Sequence, residues 1–176
     1  MPVSSPSSQP EPPLLEGLAP VVAAHTRLLI LGSFPSRISL ERRQYYANPR
    51  NQLWTLLQAL WPEQPLPPSH DYAGRCRWIL DRGLGLWDVY ARCRRTGSLD
   101  SAIRDAEPND LRQLDLPRLE GVAHNGAASH AQAMRLGMTG VVVHRLPSTS
   151  PAHAAWSLAR KTEAWREVFA RHGLCA

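Results

Sequence analysis

The basic residues of this chain indicate which partners it can bind and which kind of catalysis is not expected. Nineteen of its 20 Lys and Arg residues are Arg, and the single lysine is Lys161. A guanidinium binds phosphate through two parallel hydrogen bonds, whereas only an amine forms a Schiff base with an aldehyde. Together with a formal net charge of +5, this composition favours an anionic partner such as nucleic acid. Covalent catalysis through an amine is not expected, because Lys161 is far in sequence from the other candidate residues.

The other polar and aromatic residues that could form a site are concentrated in four segments, which are 32–51, 88–100, 124–126 and 147–153. Each segment follows an apolar run that predicts a β-strand. Loops at the carboxyl ends of strands in an open α/β sheet meet at one edge, where ligands bind. Gly, Pro, Ser and Asn are also the ordinary residues of turns, so composition alone does not separate a site from a set of turns.

Several enzyme classes are excluded because their motifs are missing from the sequence. The segment GSFPSRIS at 32–39 lacks the Gly-Lys-Ser/Thr ending of a phosphate-binding P-loop. There is no H-x-E with P-C-x-x-C pair of a zinc deaminase and no G-x-S-x-G elbow. The seven histidines lack H-E-x-x-H spacing, and Cys76, Cys93 and Cys175 lack C-x-x-C spacing. No metal, cofactor or disulfide is therefore expected.

The pattern of apolar residues predicts the elements that must position these segments. Strands are predicted at 27–31, 85–89, 121–123 and 141–146. Helices are predicted at 52–61, 72–82, 127–136 and 154–172, with a loop at 92–100 and a short helix beginning at 101–106. This alternation predicts an α/β fold, with one open, mainly parallel four-stranded sheet flanked by helices.

The chain ends and the hydropathy predict the domain limits and the location. Residues 1–13 are rich in Pro and Ser and are expected to form an unstructured tail, which leaves 14–176 as one domain. No secretory signal follows the initiator Met, and no apolar run approaches the roughly 18 residues needed to span a membrane. We therefore expect a cytoplasmic, nucleoid-associated protein with no membrane contact, and we expect it to be a monomer.

Four segments, taken in order, resemble motifs of the uracil-DNA glycosylase superfamily. The run LLILGSFPSRISLERRQYYANPRNQLW at 28–54 is similar to the first motif region of its mismatch-specific members, and GSFPS with Tyr45-Tyr46 is similar to the hypoxanthine-DNA glycosylase branch. GLGLWDVYARC at 83–93, HNGAA at 124–128 and LPSTSPAHA at 146–154 resemble three further family segments. The resemblance spans about residues 27–170 and implies the family's α/β fold.

The resemblance implies that an asparagine carries the catalysis. Phe34 stands where the mismatch-specific enzymes have a water-positioning Asn, and its loop contains no acid. In the hypoxanthine branch an Asn from the following segment takes that role, so the candidates here are Asn51 and Asn48. Asn51 is favoured because it precedes the predicted 52–61 helix, although Asn at that position is also a common helix cap.

The resemblance also implies a set of base-binding residues, which are Ser33, Phe34, Tyr46, Asp88 and Asn125. Tyr46 matches the aromatic residue that stacks on the extruded base, a contact worth about 1–3 kcal/mol. An ionised Asp88 can only accept a hydrogen bond, so it would accept from N1–H of hypoxanthine and repel the bare N1 of adenine. The alternatives are structural: Tyr46 in the core, Asp88 capping a turn or pairing with Arg92 or Arg94, and Asn125 in a tight turn.

A third group is expected to contact the DNA backbone. Ser148, Ser150 and His153 lie in or beside the minor-groove loop of the second motif, and Arg50 could contact phosphate. Leu146 stands where this superfamily presses a residue into the site or groove.

The function implied is that of a monofunctional DNA glycosylase, which extrudes a deaminated base and hydrolyses its N-glycosidic bond. Hypoxanthine is the expected base, and the partner is double-stranded or single-stranded DNA with a damaged base. Two alternatives stay open. One is a uracil-DNA or broad deaminated-base glycosylase. The other is a nucleic-acid-binding module without catalysis, which is suggested by Phe34 at the position of the water-positioning Asn.

Overall fold

The protein is described by a computed structural model that covers residues 11–136 and 140–175. Its centre is a four-stranded sheet with the order β3-β2-β6-β7, in which each adjacent pair is parallel. The strands are β2 (Leu28–Gly32), β3 (Leu84–Asp88), β6 (Gly121–Asn125) and β7 (Val142–Leu146). This confirms the predicted fold and all four predicted strands to within two residues at either end.

A second sheet was not expected from the sequence. It is antiparallel, has the order β1-β4-β5, and consists of β1 (Leu14–Glu16), β4 (Tyr90–Arg94) and β5 (Arg104–Pro108). The predicted loop at 92–100 is therefore confirmed only for 95–99, and the predicted helix beginning at 101–106 is wrong apart from a 3₁₀ turn at Asp100–Ala102, because β5 begins at Arg104. Strand β5 is largely exposed and β4 is partly buried, and both carry charged residues, with Arg92 Nε 2.7 Å from Glu107 Oε2, so neither shows the apolar alternation that reveals a half-buried strand.

In the part of the chain that the structure describes, five α-helices surround the parallel sheet: α1 (Arg37–Arg42), α2 (Leu53–Leu60), α3 (Tyr72–Leu80), α4 (Ala127–His130) and α5 (Leu158–Arg171). The predictions for α2 and α3 are confirmed, whereas α1 was missed. The predicted helix 127–136 is wrong in extent, because α4 ends at His130 and a 3₁₀ turn follows at Ala133–Arg135. Helix α5 begins four residues later than predicted, where Ser157 accepts a hydrogen bond from Arg160 N as its N-cap.

The core holds the parallel sheet rigidly between its helices. Leu28, Leu29, Ile30 and Leu31 are fully buried, as expected for a parallel strand covered on both faces. Helix α2 packs on α5 across the same core, in which Trp165 and Phe169 are also fully buried. Burying each such side chain contributes about 1.5–3 kcal/mol, so the carboxyl ends of the strands form a firm base for the loops that follow them.

The chain ends and the helices concern two remaining predictions, which are the unstructured tail and the absence of a membrane-spanning segment. Most of the predicted tail, residues 1–10, lies outside the described residues, as does Ala176. Glu11–Pro13 have no helix or strand, although Arg94 Nη1 donates to Pro12 O at 3.0 Å. Among the described residues, no helix is long and apolar enough to cross a membrane.

Candidate active site

A cavity of about 420 Å³ opens at the carboxyl edge of the parallel sheet, as predicted from the strand order. The segments that follow all four strands contribute to its lining. Ten of the predicted residues line it: Ser33, Phe34, Tyr46, Asn48, Arg50, Asn51, Asp88, Asn125, Ser148 and Ser150. Leu146 and His153 are not part of the lining. Four separate loops therefore build one site, which we call the base cavity.

A chain of hydrogen bonds at the base cavity fixes Asn125 and Asn51 through Thr149, a fully buried residue that was not selected from the sequence. Asn125 Oδ1 accepts from Thr149 N at 2.9 Å, and Asn125 Nδ2 donates to Thr149 Oγ1 at 2.8 Å. Thr149 Oγ1 in turn donates to Asn51 Oδ1 at 2.9 Å. Thr149 therefore couples the loop after β7 to the start of α2.

Asn51 is held in one orientation, and that orientation decides what it can offer. Its Oδ1 accepts from Leu53 N at 3.0 Å and from Thr149 Oγ1, which occupies both lone pairs of the amide oxygen. Because a backbone N–H can only donate, the oxygen must face Leu53 and the amide nitrogen must face away. Only the Nδ2 amide remains available, so Asn51 accepts from the first residue of α2 and offers a donor to the cavity, whereas the N-cap of α2 is Gln52.

Asn48, the other candidate, is held less firmly. Its Oδ1 accepts from Arg50 N at 3.0 Å, and its backbone oxygen accepts from Asn51 N at 2.9 Å. Both contacts are local to the turn 48–51, in which Pro49 and Arg50 are exposed. A donor works best in catalysis when its position is fixed before the reaction, so Asn51 is the better placed of the two.

Tyr46 is held by its hydroxyl in an unusual backbone conformation. Its φ is +54°, a left-handed value that is rare for a bulky side chain and costs of order 1–3 kcal/mol. The hydroxyl oxygen accepts from Asn125 Nδ2 at 3.2 Å, which joins Tyr46 to the network that holds Asn51. Burial and then the charge of Asp88 raise the pKa of Tyr46, so the phenol stays protonated. Strain of this kind persists where surrounding contacts enforce it, as at functional sites.

Asp88 lies against the end of β2 beneath the base cavity. It pairs in register with Gly32, and a Cβ atom at position 32 would overlap Asp88 Oδ1, so only glycine fits there. Asp88 is 4% exposed, and its Oδ2 has no hydrogen-bond partner among the described residues. A buried polar atom without a partner costs free energy, so a ligand in the cavity that pairs with it would recover that cost.

The charge of Asp88 is not fixed at neutral pH. Burial and then the charge of the nearby Asp100 raise the pKa of this carboxyl, Arg95 opposes the shift, and the resulting pKa is about 7. Near neutral pH Asp88 therefore exchanges between the acceptor-only carboxylate considered from the sequence and a carboxylic acid that can also donate. The alternative of an ion pair with Arg92 or Arg94 is wrong, because these arginines pair with Glu16, Glu107, Glu11 and Asp105.

Asp100 and Arg95, neither of which was selected from the sequence, fix the β2 loop from the second sheet. Asp100 lines the cavity and accepts a short hydrogen bond from Ser33 Oγ. Arg95 is 1% exposed, donates through Nη2 to Pro35 O, and places its guanidinium 5.1 Å from the ring centre of Phe34. Phe34 itself is 6% exposed and has no polar group with which to hold a water.

The chain matches known proteins over most of its length. The model of the uracil DNA glycosylase superfamily matches residues 19–170. The chain belongs to this superfamily. It is 34% identical to a hypoxanthine DNA glycosylase of Methanosarcina barkeri and 35% identical to one of Methanosarcina acetivorans, in each case over 89% of this chain and 98% of the relative. The solution NMR structure of a proposed uracil DNA glycosylase from Methanosarcina acetivorans superposes with a TM-score of 0.76 at 32% identity, covering 91% of this chain and 99% of that one.

The protein is therefore a DNA glycosylase, an enzyme that acts on DNA. In this glycosylase, hydrogen bonds outside the base cavity connect the second-motif loop, residues 146–154, to the start of α2. Lys161 Nζ donates to Gln52 Oε1 at 2.9 Å and to His153 O at 2.7 Å, while Gln52 N donates to Thr149 O at 3.0 Å. Lys161 is 1% exposed and does not line the cavity. Its amine connects Gln52 to His153 and is buried away from the cavity in which a sugar would lie.

Two of the predicted DNA contacts need revision. Leu146 is the last residue of β7 and is 3% exposed within the core, so the prediction that it enters the site or groove is wrong. The exposed apolar residue at the rim of the cavity is Leu99, which is 59% exposed. His153 is half-buried outside the cavity lining, and its backbone oxygen is the atom that has a defined role.

The structure gives no arrangement typical of a metal site in the part of the chain that it describes. No group of three or more His, Cys, Asp or Glu side chains is placed to hold a metal ion among residues 11–136 and 140–175. Cys76, Cys93 and Cys175 are all free thiols.

Proposed function

We propose that this glycosylase removes deaminated bases from DNA, with hypoxanthine as its principal base. The observation that carries the proposal is the hydrogen-bond network that fixes the Asn51 amide at the base cavity, which is also lined by Asp88 with a buried carboxyl oxygen that has no partner among the described residues. Two relatives that align over nearly their whole length are named hypoxanthine DNA glycosylases, which supports the choice of base. A base extruded from DNA needs a pocket of this kind, with polar groups that read its edge.

The reaction is a hydrolysis at C1′ of the sugar. The C1′–N bond breaks, its electron pair leaves with the base, and the oxygen of one water bonds to C1′ while the base finally takes up the proton that the water releases. Negative charge grows on the departing base in the transition state. The Asn51 Nδ2 amide, left as a donor by its two other contacts, stabilises that charge from a fixed position.

Asp88 recognises the base through hydrogen bonds, and Tyr46 stacks on it. The carboxylate form of Asp88 accepts from N1–H of hypoxanthine and repels the bare N1 of adenine, and uracil N3–H satisfies the same acceptor. The rings of Tyr46 and Phe34 replace part of the stacking that the base loses, a contribution of about 1–3 kcal/mol per stacked base. Arg50, Ser148 and Ser150 at the cavity contact the backbone of the strand.

The enzyme acts as a monomer in the cytoplasm and leaves an intact strand that carries an abasic site. Single-turnover assays on duplexes with hypoxanthine, uracil or xanthine test the choice of base. We expect hypoxanthine to be released fastest, with no strand cleavage and no borohydride-trapped adduct on Lys161. Faster release of uracil would make the enzyme a uracil-DNA glycosylase, equal rates would make it a broad deaminated-base glycosylase, and no release would leave a DNA-binding protein.

Leu99 takes over the role that the sequence had assigned to Leu146. Extruding a base from a duplex leaves a gap in the stack, and an apolar side chain that enters such a gap offsets the unstacking cost of a few kcal/mol. We expect Leu99→Ala to lower the single-turnover rate on duplex DNA by about tenfold while the rate on single-stranded DNA stays unchanged. Met134→Ala, at a 95% exposed residue outside the cavity lining, is the control. Equal losses on both substrates would count against the role.

A further inference from the structure

A second cavity of about 230 Å³ adjoins the base cavity and has no part in the mechanism above. The two cavities share Tyr45, Tyr46, Asn48 and Asn51, so one wall separates them. The other lining residues of the second cavity come from the end of α1, from α2, from α3 and from the loops before α2 and α3. We call this space the flanking cavity.

The flanking cavity is cationic. Arg42 and Arg75 line it, and its lining contains no Asp or Glu, in contrast to Asp88 and Asp100 in the base cavity. Arg42 has no hydrogen bond or ion pair to any described residue, and it is exposed beside the shared wall. An uncompensated pair of arginines in a recess favours a ligand that brings negative charge.

The guanidinium of Arg75 is fixed in an orientation that suits an anionic ligand. Its guanidinium lies 5.1 Å from the ring centre of Trp54, and its Nε donates to Pro67 O at 2.9 Å. These two contacts fix the plane of the fork and leave both Nη groups without a partner among the described residues. Partial burial lowers the pKa of Arg75, which reflects the cost of holding an unpaired charge there, and an anion would offset that cost.

We infer that the flanking cavity binds a phosphodiester of the DNA strand next to the extruded nucleotide, through Arg75 and Arg42. The inference rests on the proposed function for the identity of the ligand. A planar guanidinium matches the geometry of phosphate oxygens in a bidentate contact. A strand whose extruded base occupies one side of the shared wall carries its next phosphates along the other side. The flanking cavity would then orient the strand without reading its sequence.

The test measures binding rather than catalysis, so that it does not depend on the reaction. The probe is a single-stranded oligonucleotide with a tetrahydrofuran abasic analogue, and its dissociation constant is followed by fluorescence anisotropy over a range of salt concentrations. For Arg75→Gln we expect the slope of log Kd against log salt to fall by about 0.7, the value for one lost phosphate contact on a single strand. Arg77→Gln, an exposed arginine of the same helix outside the cavity, should leave the slope unchanged.

Neutral methylphosphonates placed one at a time beside the abasic analogue sharpen the test. The unmodified protein should lose affinity at one flanking position, and Arg75→Gln should lose nothing further at that position while still losing affinity at the others. An unchanged salt slope in Arg75→Gln, or equal sensitivity of both proteins at every position, would overturn the inference. If hypoxanthine is not released but the slope still falls, the proposed function fails and the phosphate site stands.

Discussion

The base cavity and the flanking cavity share a wall but differ in charge. The acids of the base cavity come from the end of β3 and from the turn before β5, whereas the arginines of the flanking cavity come from α1 and α3. The pI of the protein is about 9.6, yet its base cavity contains carboxyl groups at the place where we propose that a neutral base edge is recognised. The cations lie in the flanking cavity, along which the DNA strand would pass. The overall charge of the chain predicts a nucleic-acid partner, but only this local separation assigns different ligands to the two spaces.

Removing the titrating group of the base cavity should give the largest change in base choice. Above pH 7 the Asp88 carboxylate repels adenine N1, whereas the acid form below pH 7 can donate to it, so preference for hypoxanthine over adenine should rise with pH through about 7. We expect a rise of roughly 10- to 100-fold, the worth of a charge-assisted hydrogen bond of about 1.5–3 kcal/mol. The measurement is the ratio of dissociation constants for duplexes with uncleavable 2′-fluoro nucleotides of each base.

Asp88→Asn is the matched variant for that experiment, because an amide has the same shape and does not titrate. Its ratio should be independent of pH, and its hypoxanthine excision should fall relative to uracil excision. If the unmodified protein gives a flat profile, or if Asp88→Asn keeps both the pH dependence and the ratio of the two excision rates, Asp88 is not the residue that reads the base.

Breaking the network behind the shared wall should give a smaller effect. Thr149→Val keeps the shape of the side chain but removes the hydroxyl that bridges Asn125 and Asn51, so both amides lose a fixed partner. We predict a loss of about 1–3 kcal/mol in the free energy of unfolding, from urea titration, and a rate about tenfold lower in single turnover. Thr162→Val in α5, where the hydroxyl bonds only Leu158 O, should leave the rate unchanged. Similar rates for the two variants would argue against a positioning role for Thr149.

The sequence predicted the parallel sheet because apolar runs bounded by turn residues mark buried strands and the loops that follow them. The site residues were implied by the resemblance to the glycosylase superfamily, and ten of the twelve line one cavity. The small antiparallel sheet was missed, because exposed strands such as β5 leave no apolar signal. Arg95 was missed with it, since its burial depends on β4 leading it back against the β2 loop.

Roles that depend on distant contacts could not be predicted either. Thr149 and Asn51 are 98 positions apart, and nothing in the segment PSTSP indicates that the threonine, rather than either serine, is the buried one. Leu146 was misassigned for a similar reason. It is the last residue of β7, and its position on the inward face follows from the pairing of β7 with β6, whereas Val142 and Val143 at the other end of the strand are exposed.

The central claim is that Asn51 acts as a fixed donor in the base cavity, and one pair of variants tests it most directly. Asn51→Ala removes the whole amide, whereas Asn51→Asp keeps the oxygen that accepts from Leu53 N and from Thr149 Oγ1 and removes only the donor. The measurement is the single-turnover rate of hypoxanthine release, with binding of the abasic analogue and thermal unfolding as controls for affinity and folding. We predict that both variants lose about 10²–10³-fold in rate, the scale of one preorganised donor, and that Asn51→Asp binds and unfolds like the unmodified protein. An Asn51→Asp enzyme that keeps its rate, or a loss of this size that appears in Asn48→Ala instead, would contradict the account.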